Sequence, residues 1–152
     1  MSDRGAGDSQ HRGGMVAQER YSDGAVYDGE WWEHKYHGQG RLVSANGDVY
    51  EGQWDLGQKS GHGVFQWHHG SRYEGQWFQD MRHGKGTMQY IEPVSTYSGE
   101  WVNDEKCGQG SFHFDNGDVY EGEWAHDEMH GRGIMRFHNG DIYEGEWRVH
   151  VT

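Results

Sequence analysis

The pentapeptide Tyr-x-Gly-x-Trp occurs six times, beginning at Tyr27, Tyr50, Tyr73, Tyr97, Tyr120 and Tyr143, at spacings of 23, 23, 24, 23 and 23 residues. A fixed period of this length marks supersecondary units that cannot bury a face alone and do so by stacking on their neighbours. Two further patterns run in step with it. Gly-x-Gly recurs at Gly38/Gly40, Gly61/Gly63, Gly84/Gly86, Gly108/Gly110 and Gly131/Gly133. Asn-Gly-Asp recurs at Asn46 to Asp48, Asn116 to Asp118 and Asn139 to Asp141, with His69-Gly70-Ser71 in its place once.

Each period reads as two strands and two turns, which makes the fold all-β, a single antiparallel layer of stacked hairpins. In the first strand Tyr50, Gly52 and Trp54 share one face and Val49, Glu51 and Gln53 the other, because successive side chains alternate. In the second strand Gly63, Phe65 and Trp67 share a face. The equivalents of these ring positions are Leu42, then Met88 and Tyr90, Phe112 and Phe114, and Met135 and Phe137. Asn-Gly turns with positive φ are expected to join one repeat to the next as tight hairpins. The glycine between Tyr and Trp, at Gly29, Gly52, Gly75, Gly99, Gly122 and Gly145, marks a place where another group lies close over the backbone. A neighbouring Tyr or Trp ring is expected there.

Composition enters through the core. Leu, Ile, Val and Phe together make 20 of 152 residues, but 22 residues are aromatic, so the core must be built of rings. With 26 Gly and no apolar i, i+3, i+4, i+7 pattern, a helical bundle is excluded. No apolar run reaches the roughly 18 residues of a spanning helix, no secretory h-region is seen at the N-terminus, and Ser2 breaks the myristoylation pattern. One cysteine, Cys107, forms no internal disulfide and points to a reducing, intracellular compartment. The formal charge of −12 opposes nucleic acid and anionic lipid alike.

The motif set resembles the MORN repeat, whose pattern runs Tyr-x-Gly-x-Trp, a polar turn, His-Gly-x-Gly and a closing Gly. Tyr120-Glu121-Gly122-Glu123-Trp124 with His130-Gly131-Arg132-Gly133 and Asn139-Gly140 is a near-complete copy. The resemblance covers residues 27 to 147, with a match to the approach of later repeats from Gly24. It implies an elongated, twisted single-layer sheet with a groove lined by the aromatic positions. Departures fall at Ser60 and Cys107, which replace His, and at Ile91 to Thr96, where Pro93 and an added residue are expected to disturb the third-to-fourth junction. The domain plan is a flexible arm over residues 1–20 and a repeat domain over 21–152, with five repeats and a partial sixth.

No cofactor or metal is expected. His37, His83 and His130, with Ser60 and Cys107 between, form a column, but strands two apart lie roughly 9.6 Å from each other and zinc ligands sit about 2.0–2.3 Å from the ion. Ser111 lacks a nucleophile elbow, and the Gly-x-Gly copies lack a phosphate cradle and read as turn glycines. The carboxylates Asp28, Glu30, Glu51, Glu74, Glu100, Glu121, Glu123, Glu144 and Glu146 follow the period, as a solvated row does, rather than forming one acid/base pair. Lys35, Lys59, Arg82, Lys85, Lys106 and Arg132 are read as turn cations. The chain is therefore expected not to be an enzyme.

A single layer has nothing to cover its aromatic face, and exposed apolar patches mark interaction sites. The groove is expected along Tyr27, Trp31, Tyr50, Trp54, Phe65, Trp67, Tyr73, Trp77, Met88, Tyr90, Tyr97, Trp101, Phe112, Phe114, Tyr120, Trp124, Met135, Phe137, Tyr143 and Trp147. The expected partners are other proteins, with self-association through the unpaired sixth strand. A rod of about 12 strands, roughly 55 Å long at about 4.8 Å per strand, follows. Similarity to stand-alone MORN members of radial spokes implies a scaffold in the cytoplasm and cytoskeleton, in the axoneme of a cilium or flagellum. The competing expectations are a phospholipid-tethering module and a regulatory subunit of an enzyme on another chain.

Overall fold

The computed structural model describes residues 15–148. These form one open antiparallel sheet of 12 strands whose spatial order is the order in sequence. The strands are β1 (Met15–Arg20), β2 (Val26–Trp32), β3 (Lys35–Val43), β4 (Val49–Asp55), β5 (Gln58–Gln66), β6 (Arg72–Phe78), β7 (Met81–Ile91), β8 (Val94–Val102), β9 (Glu105–His113), β10 (Val119–Ala125), β11 (Glu128–Arg136) and β12 (Ile142–Trp147). Each Tyr-x-Gly-x-Trp lies on an even-numbered strand and each Gly-x-Gly on the odd-numbered strand after it. The expected all-β single layer is what the chain forms, and no helix occurs among the described residues.

One element departs from the expectation. The segment read as a flexible arm ends in β1, which pairs with β2 from Met15↔Trp31 to Arg20↔Val26; residues 1–14 lie outside those described. The signal was the Gly24 turn. Tyr21 N–H donates to Ala25 O at 2.9 Å and Gly24 N–H to Tyr21 O at 3.0 Å, the same pair of bonds that closes every Asn-Gly turn. A turn of that kind implies a strand before it as well as after it.

The two turn families differ. Between repeats the chain makes three-residue loops: Ser44 N–H donates to Asp48 O at 2.8 Å and Gly47 N–H to Ser44 O at 2.9 Å. Only the glycine has positive φ, +97° at Gly47, so Asn46 is not in the left-handed region expected of it. This is the looser hairpin loop that ends in a glycine bulge. Its aspartate is tied to the next rung: Asp48 Oδ1 accepts from the His68 N–H at 2.8 Å and lies 2.9 Å from its Nδ1, and Asp118 holds His138 likewise.

Within repeats the turns are two-residue, with both residues at positive φ: Glu33/His34, Leu56/Gly57, Gln79/Asp80, Asn103/Asp104 and His126/Asp127. A two-residue hairpin of this kind matches the twist of its strands, but non-glycine residues resist it. The aspartates offset that resistance by reaching back one rung. Asp80, Asp104 and Asp127 each accept, at Oδ1, the N–H of Lys59, Arg82 and Lys106 at 2.8–2.9 Å.

The third-to-fourth junction is altered as expected, but the ladder through it is kept. Glu92-Pro93, joined by a cis peptide bond, sits at the tip of a two-residue turn where no ladder donor is needed. β7 and β8 lengthen instead, adding the pairs Tyr90↔Ser95 and Ile91↔Val94, and the Gly86↔Gly99 register is kept.

Candidate functional site

Register builds the aromatic face. Residues directly opposite on antiparallel strands share a face, and one unbroken row runs Tyr27, Leu42, Tyr50, Phe65, Tyr73, Met88, Tyr97, Phe112, Tyr120, Met135, Tyr143. Two residues along each strand lies a second row of glycines, Gly29, Gly40, Gly52, Gly63, Gly75, Gly86, Gly99, Gly110, Gly122, Gly133 and Gly145, which Ala17 begins on β1. The two rows interlock. The Tyr50 ring folds over Gly63 on the next strand, where any Cβ would overlap the phenol, and its hydroxyl donates to Gln53 O at 2.7 Å. The same bond joins Tyr27, Tyr73, Tyr97 and Tyr120 to the carbonyl three residues on.

This revises the expectation for the middle glycine. A Cβ on Gly52 would strike the Gly63 backbone and the His62 carbonyl before the Tyr50 hydroxyl. The pentapeptide glycine is there because two backbones approach; the tyrosine of the same repeat covers the pair. Nor are the Gly-x-Gly copies turn glycines. Their second member lies under a ring, and their first, such as Gly61 at φ +72°, sits at the register shift beside the tryptophan.

The pentapeptide indoles from Trp54 to Trp124 each complete a rung. Trp54, Trp77, Trp101 and Trp124 donate from Nε1 at 3.0–3.1 Å to the carbonyls of Gly40, Gly63, Gly86 and Gly110 on the preceding strand. Tyr50 meets Trp54 edge-on at 4.9 Å between centroids and the next repeat's Trp77 at 5.5 Å, and this alternation continues to Trp147. Burial pushes the phenol pKa of Tyr27, Tyr50, Tyr73 and Tyr97 well above the ordinary tyrosine value.

The expected groove residues thus divide. Tyr27, Tyr50, Trp54, Tyr73, Trp77, Met88, Tyr97, Trp101, Tyr120, Trp124 and Met135 are buried in the ladder and offer little surface. Trp31, Phe65, Trp67, Tyr90, Phe112, Phe114 and Trp147 are half-buried against them, and Phe137 and Tyr143 are exposed. Single-layer rings cover one another more fully than a bare sheet suggests, because glycine lets each phenol lie flat on the backbone.

Two groups were misplaced by sequence alone. Lys59, Arg82 and Lys106 are not turn cations; they lie over the rings. Lys59 Nζ is 5.4 Å from the Trp77 centroid, Arg82 Cζ 4.6 Å from Trp101, and Lys106 Nζ 5.6 Å from both Tyr97 and Trp124. Each is also paired with an aspartate, Asp80, Asp104 or Asp127, at 2.9–3.5 Å. Parity was the available signal, since each stands two residues before a Gly-x-Gly glycine. Tyr36 takes the position in the first repeat, stacked on Tyr27 at 3.8 Å.

The acidic row also splits. Glu51, Glu74 and Glu121 face Arg41, Arg72 and Arg136 on the reverse face. Glu30, Glu100 and Glu123, like Gln53 and Gln76, instead accept the N–H between the two glycines of the next strand at 2.7–2.9 Å. They fasten the bulge rather than solvate the sheet. In the histidine column, burial and then Glu100 push the Cys107 thiol upward. Among the described residues no group of three His, Cys, Asp or Glu could hold a metal ion.

Two clefts open on the ring face at the fourth repeat. One, of about 310 Å³, is lined by Tyr90, Glu92, Pro93, Lys106, Phe112 and Phe114. The other, of about 430 Å³, continues over Phe112, Phe114 and Trp124 to Glu128, Met129 and Trp147. They share Lys106, Phe112 and Phe114, so they form one trough.

Comparison with known proteins agrees with this geometry. The family model described as the MORN repeat matches residues 27–49, 50–72, 73–91, 97–119 and 120–142. No curated protein matches the sequence. Among solved structures, the SAS-4 (dCPAP) TCP domain in complex with a proline-rich motif of Ana2 (dSTIL) from Drosophila melanogaster is similar over 87% of this chain and 90% of that one, at 12% identity and a TM-score of 0.41. That superposition is too loose to carry an argument about this chain. The repeats that the family model matches are the ones whose glycine and tyrosine rows interlock in the sheet, and the chain belongs to the MORN-repeat family.

Proposed function

We propose that the chain is a non-enzymatic scaffold that holds a segment of another protein in the trough over Tyr90, Phe112 and Phe114. MORN repeats form repeat modules that bind proteins or membranes, and the observation favouring a protein is the trough itself. Its floor is half-buried aromatic surface, the kind of site in which a few apolar anchors supply most of the binding energy. Glu92, Asp115, Asp127 and Glu128 stand around it against Lys106 and Arg148. The matching partner carries apolar or aromatic anchors beside Lys or Arg. A formal charge of −12 works against the membrane alternative, since anionic lipid attracts basic clusters.

The cellular setting we propose is the cytoskeleton, in an axonemal or related assembly, supported by the resemblance to small stand-alone family members there. The test uses native extract. Crosslinks from a co-sedimenting axonemal protein should fall on the trough and disappear in a Tyr90→Ala, Phe114→Ala variant that melts normally. A chain that washes out of detergent-extracted axonemes quantitatively as a monomer overturns the placement. Flotation with anionic liposomes at physiological salt overturns the preference for protein.

A further inference from the structure

The two edges of the sheet are chemically different, and the interior shows what each lacks. Every interior pentapeptide strand is covered on its C-terminal side by a strand that supplies two groups. A glycine, Gly40, Gly63, Gly86, Gly110 or Gly133, lies under the tyrosine ring. An N–H between the two glycines meets the acceptor before the tryptophan. β12 carries the same pentapeptide, Tyr143-Glu144-Gly145-Glu146-Trp147, and pairs with β11 alone among the described strands. Tyr143 is 45% exposed where its five equivalents are 0–2% exposed. Among the described residues no glycine-flanked N–H lies beside Glu146.

β1 occupies the place of a covering strand at the opposite end. Ala17 lies opposite Gly29, and Trp31 Nε1 donates to Ala17 O at 3.0 Å, as Trp54 does to Gly40 O. Its outer edge, however, cannot receive another pentapeptide strand. Ala17 carries a Cβ where a Cβ overlaps the phenol at all five interior equivalents. Met15, opposite Trp31, stands where the interior uses glycine at φ +60° to +91°. Glu19 puts a charge into the row held elsewhere by Leu42, Phe65, Met88, Phe112 and Met135. An inward charge on an edge strand discourages pairing.

We propose that the outer edge of β12 is a strand-docking site for a different polypeptide bearing an extended Gly-x-Gly segment with an apolar residue two positions beyond the second glycine, and that β1 is a terminator preventing copies from adding head to tail. Main-chain bonds supply affinity in such strand addition, and side-chain fit supplies selection. Here the selection is by absence: a glycine where Tyr143 must lie, a bare N–H for Glu146. This surface is the edge, not the ring face, so it stands whether or not the trough binds anything.

The probe is a labelled synthetic peptide with the sequence of residues 58–67, Gln58 to Trp67, titrated into the intact chain and followed by anisotropy. Saturable binding is expected, with amide protection appearing on β12. A peptide carrying Gly63→Ala should bind about tenfold more weakly or less, because the added methyl meets a ring. Tyr143→Ala in the protein should weaken the parent peptide similarly while leaving the melt unchanged, since that ring is already exposed. Equal binding of the two peptides, or no protection of β12, overturns the docking site. Sedimentation velocity should show the chain alone as single copies at all concentrations; concentration-dependent linear growth overturns the terminator.

Discussion

Tyr73-Glu74-Gly75-Gln76-Trp77 and Tyr143-Glu144-Gly145-Glu146-Trp147 are the same motif in two settings. The first ring is fully buried, and its hydroxyl donates to Gln76 O at 2.9 Å; the second is exposed, and its bond to Glu146 O is 3.2 Å. Their local sequences make the same strand with the same turn of the ring. What differs is Gly86, which lies under Tyr73 and has no counterpart beside Tyr143 among the described residues. Burial in this molecule is a property of two adjacent strands, never of one repeat, as expected of a solenoid whose units contact only their neighbours.

The strongest way to break the comparison is to remove the floor under one ring. Gly86→Val should cost about 3 kcal/mol or more, because the side chain must displace a buried phenol. Gly145→Val should cost about 0.5 kcal/mol or less, since a Cβ there meets only the exposed Tyr143 ring, nearest at its hydroxyl, 2.9 Å away, and that ring is free to swing aside. Urea unfolding of both variants measures the difference, and equal losses would refute the interlocked rows.

A smaller effect sharpens the hydroxyl. Tyr73→Phe leaves the Gln76 carbonyl without its partner and should cost about 1–2 kcal/mol, whereas Tyr143→Phe should change the melting point little. The same residue predicts a pH dependence. Burial raises the Tyr73 pKa above the unfolded value of about 10, so its contribution is complete below that pH and is lost as pH rises from there toward the folded value. Alkaline unfolding above about pH 10 should therefore be shallower in Tyr73→Phe than in the parent, as circular dichroism can follow.

The smallest effect separates charge from acceptor. Glu123→Gln should leave stability unchanged, because Gln53 and Gln76 already do this work in their repeats. Glu123→Ala should cost about 0.5–1 kcal/mol by leaving the Arg132 N–H unpaired. Glu146→Ala should cost nothing measurable, as no such N–H lies beside it among the described residues. Thermal melts of the three variants in one buffer decide whether this position serves the bulge.

Much of the ladder was legible from spacing. Alternation put Tyr50, Gly52 and Trp54 on one face, and the glycine between two rings announced a close approach. Lys59 was harder, because a cation beside a turn ordinarily points to water; only parity with Gly61 and Gly63 placed it over the rings. β1 was hardest, since Met15 to Arg20 has neither the pentapeptide nor a glycine pair, and only the Gly24 turn after it announces a strand that β2 then pairs.

By itself the sequence determined the period, the strand faces and the positions at which no side chain is tolerated, because these are properties of alternation and of glycine. Only the tertiary structure decided which rings are covered, which carboxylates fasten a bulge and which cations lie over the rings. Those depend on what the adjacent strand brings to within hydrogen-bonding distance, and the partners concerned, such as Gln53 with His62 and Asp104 with Arg82, lie nine and twenty-two positions apart along the chain.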